Sequence, residues 1–252
     1  MPFTAKSGKF NASIKTVTIG TGDKAITLGG ENALPLQSFD APFANAPKVG
    51  IEITDFGMEH EPECIQKYYE GCSSIADIAK KAASFEGVDF LSFRLEGGDP
   101  NGANKSTDEL IAMVKEVAEA VDLPLVICGS KNAERDAELL GKAAEAVQGK
   151  NALILAAKEE NYKTVGAAAG LAYNQVVGAE SSVDINLAKQ LNVLLSQLGV
   201  KPESVVMNVG TAAAGYGYEY VASTMQRVKS AALSQNDAQL QMPIITPVAS
   251  ET

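Results

Sequence analysis

Ser204-Val-Val-Met-Asn-Val-Gly-Thr-Ala-Ala-Ala-Gly-Tyr-Gly-Tyr-Glu-Tyr220 sets a short apolar run against a loop of small residues. Val205–Met207 is continuously apolar rather than alternating, the pattern of a strand covered on both faces. A Gly, Ala and Thr loop directly after such a strand lies where α/β folds hold their ligands. Small side chains let the backbone approach something flat or bulky. Gly210, Gly215 and Gly217 can equally serve as turn residues. Three tyrosines follow at alternate positions, Tyr216, Tyr218 and Tyr220.

The same unit recurs upstream. Val49–Ile53, Val88–Phe93, Leu123–Cys128, Ala152–Ala156 and Gln175–Gly178 read as buried strands, and Met242–Thr246 as one more after the opening stretch. Helices are predicted between them. Ser74 opens one through about Ser84, with Ile75, Ile78, Ala79 and Ala82 on one face. Ser106 and Glu109 are spaced as a capping box for a helix with Leu110, Met113, Val114 and Val117 inward. Residues 132–147 and about 160–173 continue the pattern. Ser181 or Ser182 is the expected cap of a helix carrying Ile185, Leu187, Leu191, Leu194, Leu195 and Leu198, and a last helix covers about 219–234. Seven strands alternating with six helices imply parallel pairing through crossovers. A (β/α)8 TIM-type barrel fits best, incomplete at its C-terminal end because only seven strands are read. No GxGxxG follows the first strand, which argues against a dinucleotide-binding doubly wound sheet.

Residues 1–47 stand apart from 48–252 as a tail, a hairpin and a loop. Ile14–Ile19 and Ala25–Gly30 flank Gly20-Thr21-Gly22-Asp23, the composition of a β-hairpin, expected to act as an accessory plug or lid. Residues 31–47 contain three prolines and read as loop, and 55–72 as a long acidic loop.

The 252 residues carry 21 basic and 31 acidic side chains, a net charge of −10. That disfavours nucleic acid and anionic membrane as partners. No stretch reaches the length of a membrane span and Met1–Lys15 lacks the apolar core of a signal peptide, so a cytoplasmic location is expected. Cys64, Cys72 and Cys128 form no CxxC pair, so neither an iron–sulfur cluster nor structural zinc is expected in this chain. His60 is the only histidine, which disfavours a Ser-His-Asp triad and a His-rich metal site.

The strand-end loops offer acids, amides and hydroxyls: Asp55; Glu96, Asp99, Asn101 and Asn104; Ser130 and Asn132; Glu159, Glu160 and Asn161; Ser181, Ser182 and Asp184; Asn208 and Thr211; Thr246. Arg94 and Lys158 are the strand-end cations. A Schiff-base lysine needs a depressed pKa, and Glu159-Glu160 beside Lys158 works against one. A two-carboxylate glycosidase would draw on Glu96 with Glu159 or Glu160, but the chain has no Trp to stack a sugar. A phosphate-binding barrel wants a Gly-rich turn where Thr246-Pro247-Val248 stands. A pterin or corrinoid surface needs amides, hydroxyls and close backbone approach, all present.

Five segments in order narrow this further: Val49-Gly50-Ile51-Glu52; Leu95–Asn104; Glu160-Asn161-Tyr162-Lys163; Val183-Asp184-Ile185-Asn186 with Lys189-Gln190-Leu191-Asn192; and Gly215–Tyr220. Together they resemble the small subunit of the corrinoid iron–sulfur protein, the delta subunit of the acetyl-CoA decarbonylase/synthase complex, over about 13–250. The resemblance implies a barrel related to pterin-binding methyltransferases. It implies a larger partner subunit carrying a four-iron cluster and a cobalamin domain, with the corrinoid (cobalamin) between that domain and the barrel's loop face. It further implies a methyl carrier of the reductive acetyl-CoA pathway. A separate methyltransferase loads it from methyltetrahydrofolate or an archaeal analogue, and it unloads to acetyl-CoA synthase. On that basis Asn208, Thr211, Ala213, Gly215 and Tyr216, with Asp184 and Thr246, are the expected corrinoid contacts; no catalytic residue and no metal ligand is expected in this chain. The family continues through a last helix, strand and helix, and often carries Asp-Pro where Asn208-Val209 stands here. The alternative is a freestanding pterin-dependent methyltransferase using Asp55, Asp99, Asn101 and Asp184.

Overall fold

The computed structural model describes residues 2, 8–34 and 43–251. Residues 35–42 of the loop expected over 31–47, and half of the N-terminal tail, lie outside the described residues. β1 (Val17–Ile19) and β2 (Ile26–Leu28) form a two-stranded sheet, the expected hairpin. Seven further strands stand in one sheet in chain order: β3 (Gly50–Thr54), β4 (Phe90–Arg94), β5 (Leu125–Cys128), β6 (Leu153–Ala157), β7 (Val176–Glu180), β8 (Val205–Asn208) and β9 (Ile244–Ile245). The seven-strand α/β pattern read from the sequence is therefore present, as an incomplete TIM-type barrel. The residues fall into two compact units: Thr18–Ile26 with Lys48–Gly178, and the described parts of Met1–Val17, Thr27–Pro47 and Ala179–Thr252.

The first unit is built on β3 to β6. Its ladder is parallel, with Ile51 beside Leu91, Leu91 beside Leu125, and Ile127 beside Ile154. β5 and β6 are buried at every position, as the unbroken apolar runs require. α2 (Ile75–Ala83), α3 (Thr107–Ala120) and α4 (Ala133–Ala146) cover the strands. Phe93, Leu110, Leu139, Leu140 and Leu153 are fully buried, each stabilising the unit by about 1.5–3 kcal/mol. The hairpin tip belongs here. The Gly20 amide donates to the Asn151 carbonyl at 2.8 Å, and Asn151 Nδ2 donates to the carbonyls of Thr18 and Gly20 at 2.8 and 3.3 Å. Asn151 precedes β6, so the tip is fastened at the strand's N-terminal end.

The second unit carries β8, β9, α6 (Ile185–Leu198) and α7 (Tyr218–Ser234). Met207 pairs with Ile244 and Asn208 with Ile245 in parallel register. Leu191 and Leu195 of α6 and Val221 and Val228 of α7 supply its core.

Several local expectations change. The acidic loop over 55–72 contains a helix, α1 (Glu63–Tyr68). Ser74 caps α2 with a full box, but through Asp77 at the third position. Ser106 Oγ accepts the Glu109 amide of α3 at 3.2 Å, the forward half of the box alone. The helix expected over 160–173 is α5 (Tyr162–Val165) running into a π-helical stretch, Gly166–Ala172. α6 is capped by neither serine: Asp184 Oδ1 accepts the amides of Asn186 and Leu187 at 2.8 and 3.1 Å. Ser182 and Val183 instead adopt φ of +45° and +67°, left-handed values that neither residue favours, and so carry the chain to the cap. The last strand contracts from Met242–Thr246 to two residues.

Candidate functional site

In the second unit the expected contact residues lie on the loops after β7, β8 and β9. Asn208, the last residue of β8, is buried. Its Oδ1 accepts the Gly210 amide at 2.9 Å and its Nδ2 donates to Glu180 Oε2 at 3.0 Å, tying the loop start to the end of β7. Thr246 Oγ1 donates to the Gly210 carbonyl at 2.9 Å. One glycine at φ +91° thus joins Asn208 and Thr246. The Val183 amide donates to the Val209 carbonyl at 2.7 Å, bringing the Asp184 loop against the same turn.

The tip of the β8–α7 loop is a tight turn. The Ala213 carbonyl accepts the amides of Tyr216 and Tyr218 at 2.9 and 3.3 Å. Gly215 sits at φ +75° with open space where a side chain would stand. Tyr216 is 88% exposed. Thr211 Oγ1 and Ser181 Oγ are buried and have no hydrogen-bond partner among the described residues. These two hydroxyls, on the loops after β8 and β7, are polar capacity that no internal hydrogen bond uses. Asn208 and Thr246 therefore meet at Gly210, Thr211 follows that glycine, Ala213, Gly215 and Tyr216 form the loop's tip, and Asp184 holds the adjoining helix start with its carboxylate. Sequence reading misses Glu180, the partner of Asn208, and the strained Val183. The first is fixed only by strand pairing and the second has no sequence signal.

In the first unit the strand ends carry charge in pairs. Arg94, closing β4, reaches back to Glu52 in β3: Nε to Oε1 at 2.8 Å and Nη2 to Oε2 at 2.9 Å. Ser92 Oγ donates to Glu52 Oε2 at 3.1 Å and lies 3.4 Å from Cys128 Sγ. Burial disfavours the guanidinium's charge, but Cys128, Glu52 and Glu96 outweigh it and hold its pKa above the ordinary value. Arg94, read as a strand-end cation, is thus spent inside the fold.

Asp55 is also internal. Its Oδ1 accepts the Gly97 amide at 2.9 Å, and Lys105 Nζ lies 2.8 Å from Oδ2 and donates to the Asp55 carbonyl at 2.8 Å. The ammonium lies 4.5 Å from the centroid of Phe56. A Cβ on Gly97 would collide with the Asp55 carboxylate, which is why the Leu95–Asn104 segment has glycine there. Asp99 Oδ1 accepts the Asn101 amide at 2.9 Å within the same loop.

Asp136, in the first turn of α4, accepts both the amide and the hydroxyl of Ser130 on Oδ1 at 2.7 Å. Burial pushes its pKa up, against the Ser130 bonds and Lys158. A carboxyl raised by folding stabilises the fold below the ordinary value of about 3.9 and loses that contribution as pH rises through the folded value. Asp136→Asn is therefore expected to gain melting temperature relative to the unmodified chain as pH rises through the acid range. A difference between the two melting curves that stays flat with pH would refute this.

Among the described residues no group of three His, Cys, Asp or Glu side chains is placed to hold a metal ion, and no helix is long and apolar enough to cross a membrane.

A family profile described as CO dehydrogenase/acetyl-CoA synthase delta subunit matches residues 16–251. Three curated relatives show the extent of the likeness. The acetyl-CoA decarbonylase/synthase complex subunit delta of Methanothermobacter thermautotrophicus is 35% identical over 93% of this chain and 60% of its own length. Subunit delta 1 of Methanosarcina thermophila is 34% identical over 86% and 50%. Subunit delta of Archaeoglobus fulgidus is 32% identical over 89% and 50%. The chain spans half to three-fifths of the length of these relatives.

Proposed function

The chain belongs to the CO dehydrogenase/acetyl-CoA synthase delta subunit family, and from that premise we propose that it serves as the barrel subunit of a corrinoid methyl carrier in an acetyl-CoA decarbonylase/synthase complex. Its partners would be a larger corrinoid iron–sulfur subunit, a methyltetrahydrofolate methyltransferase and acetyl-CoA synthase, in the cytoplasm. The observation that carries the proposal is the β8–α7 loop. A corrinoid is a broad flat ring edged with carboxamides. The loop supplies open space at Gly215, the exposed ring of Tyr216 and the unpaired Thr211 hydroxyl, and the loop after β7 adds the unpaired Ser181 hydroxyl. Small residues give clearance for the ring and the hydroxyls suit its amides.

When bound, the corrinoid supplies a cobalt centre that accepts and releases a methyl group. This chain's residues would shape and shield one side. Asn208, through Gly210 and Thr246, fixes the turn. Ala213 sets the tip that presents Tyr216. Asp184 orients the start of α6. The alternative pterin site draws less support, because Asp55 and Asp184 are engaged in internal bonds and Asp99 is bonded to Asn101.

The test is cobalt occupancy in the co-purified heterodimer. Tyr216→Ala and Ala213→Phe are each expected to lower retained cobalt several-fold after dialysis, with both subunits still associated. Unchanged occupancy in both variants removes the loop from the contact. Methylation of free cob(I)alamin by this chain alone would overturn the carrier-subunit reading in favour of a methyltransferase.

A further inference from the structure

We propose that the acidic segment around α1 is a docking surface for a positively charged segment of another protein that presents an apolar side chain at its centre. α1 has six residues and buries none of them. A helix that short does not persist in water unaided. It is held by Gln66 Nε2 donating to the Glu61 carbonyl at 2.7 Å and by Tyr69, which follows it and is buried. Held in this way, it turns Ile65 and Tyr68 outward, 39% and 42% exposed. Phe85, just past α2, is 52% exposed and its ring lies 6.0 Å from that of Tyr68. Tyr68 also meets Tyr69 edge-on at 5.1 Å, and Lys81 Nζ stands 5.1 Å from the Tyr68 centroid. Rings that fix one another lose little freedom when a partner covers them.

The surround selects the occupant. Residues 59–70 hold four acids, Glu59, Glu61, Glu63 and Glu70, against one cation, Lys67, a local charge of −3 with His60 neutral. Glu86 adds another acid beside Phe85. Lys80 and Lys81 are the cations on the adjoining helix, and Lys81 is engaged with Tyr68. An exposed apolar patch in a stretch that carries these five acids against three cations complements lysines and arginines flanking a hydrophobic residue. A second copy of this chain would bring the same acids against themselves.

The full chain is titrated with a fluorescent amphipathic helix of Leu and Lys, and with a Leu and Glu helix of equal apolar content, at low and at physiological ionic strength. The Leu/Lys helix is expected to bind and the Leu/Glu helix not. Tyr68→Ala with Phe85→Ala should weaken binding about tenfold. Glu61→Gln with Glu63→Gln should weaken it about threefold, mainly at low salt. An unchanged melting temperature checks the fold, and Ile65→Ser carries the same comparison if the aromatic variant unfolds. Equal affinity of the aromatic variant would reduce the effect to diffuse attraction and overturn the proposal, as would failure of the Leu/Lys helix to bind. A concentration-dependent dimer abolished by the same substitutions would assign the patch to a second copy instead.

Discussion

Arg94→Met is expected to destabilise the chain by about 3–5 kcal/mol, the cost of leaving a buried carboxylate without its counter-charge. The two side chains are only 8% and 9% exposed. Methionine fills comparable volume but offers Glu52 no donor. The Ser92 hydroxyl and the weakly donating Cys128 thiol remain as neutral donors on Oε2. The pair itself need not be a net gain over an apolar one, since both charges are desolvated. Glu52→Leu with Arg94→Met should therefore recover most of the loss. Urea unfolding of the four members of this cycle measures the coupling. A single variant within about 1 kcal/mol of the parent would show that solvent reaches the pair and screens it.

Asp55→Ala is expected to cost about 3 kcal/mol and to loosen one loop specifically. The carboxylate fixes that loop from two directions, through the Gly97 amide and through Lys105. Removing it orphans a buried amide and leaves the ammonium with a carbonyl and an aromatic face alone. Amide hydrogen exchange should rise over 95–105 far more than over β5 or β6. Uniform acceleration across the unit would mean that Asp55 supports the whole core rather than the loop.

These two residues illustrate what sequence reading reaches. Buried strands were legible because unbroken apolar runs have few other uses, and β5, β6 and β8 lie where those runs are. Helix starts were legible where one residue both caps and precedes the apolar period, as at Ser74. They were not where several candidates adjoin. Ser181-Ser182-Val183-Asp184 holds three capping residues, and the choice of Asp184 rests on two left-handed residues that no propensity favours. α1 was invisible because it has no buried face to leave a period. Glu52 and Arg94 lie 42 residues apart, and their pairing follows from strand register, which composition does not encode. In the candidate loop the small residues and tyrosines were apparent at once. The bond from Asn208 to Glu180 was not, because it needs the neighbouring strand.

The fastening of the hairpin tip to Asn151 bears on how the chain is made. Asn151 Nδ2 and the Thr18 carbonyl are separated by 133 positions. On the ribosome the hairpin emerges long before its anchor exists, at a synthesis rate of about 5–20 residues per second. For some seconds two short, β-prone runs wait without that anchor. Closing such a long-range contact is intrinsically slow. Gly20-Thr21-Gly22-Asp23 can form its turn locally during that interval, so the waiting strands are already paired to each other when β6 arrives to receive them.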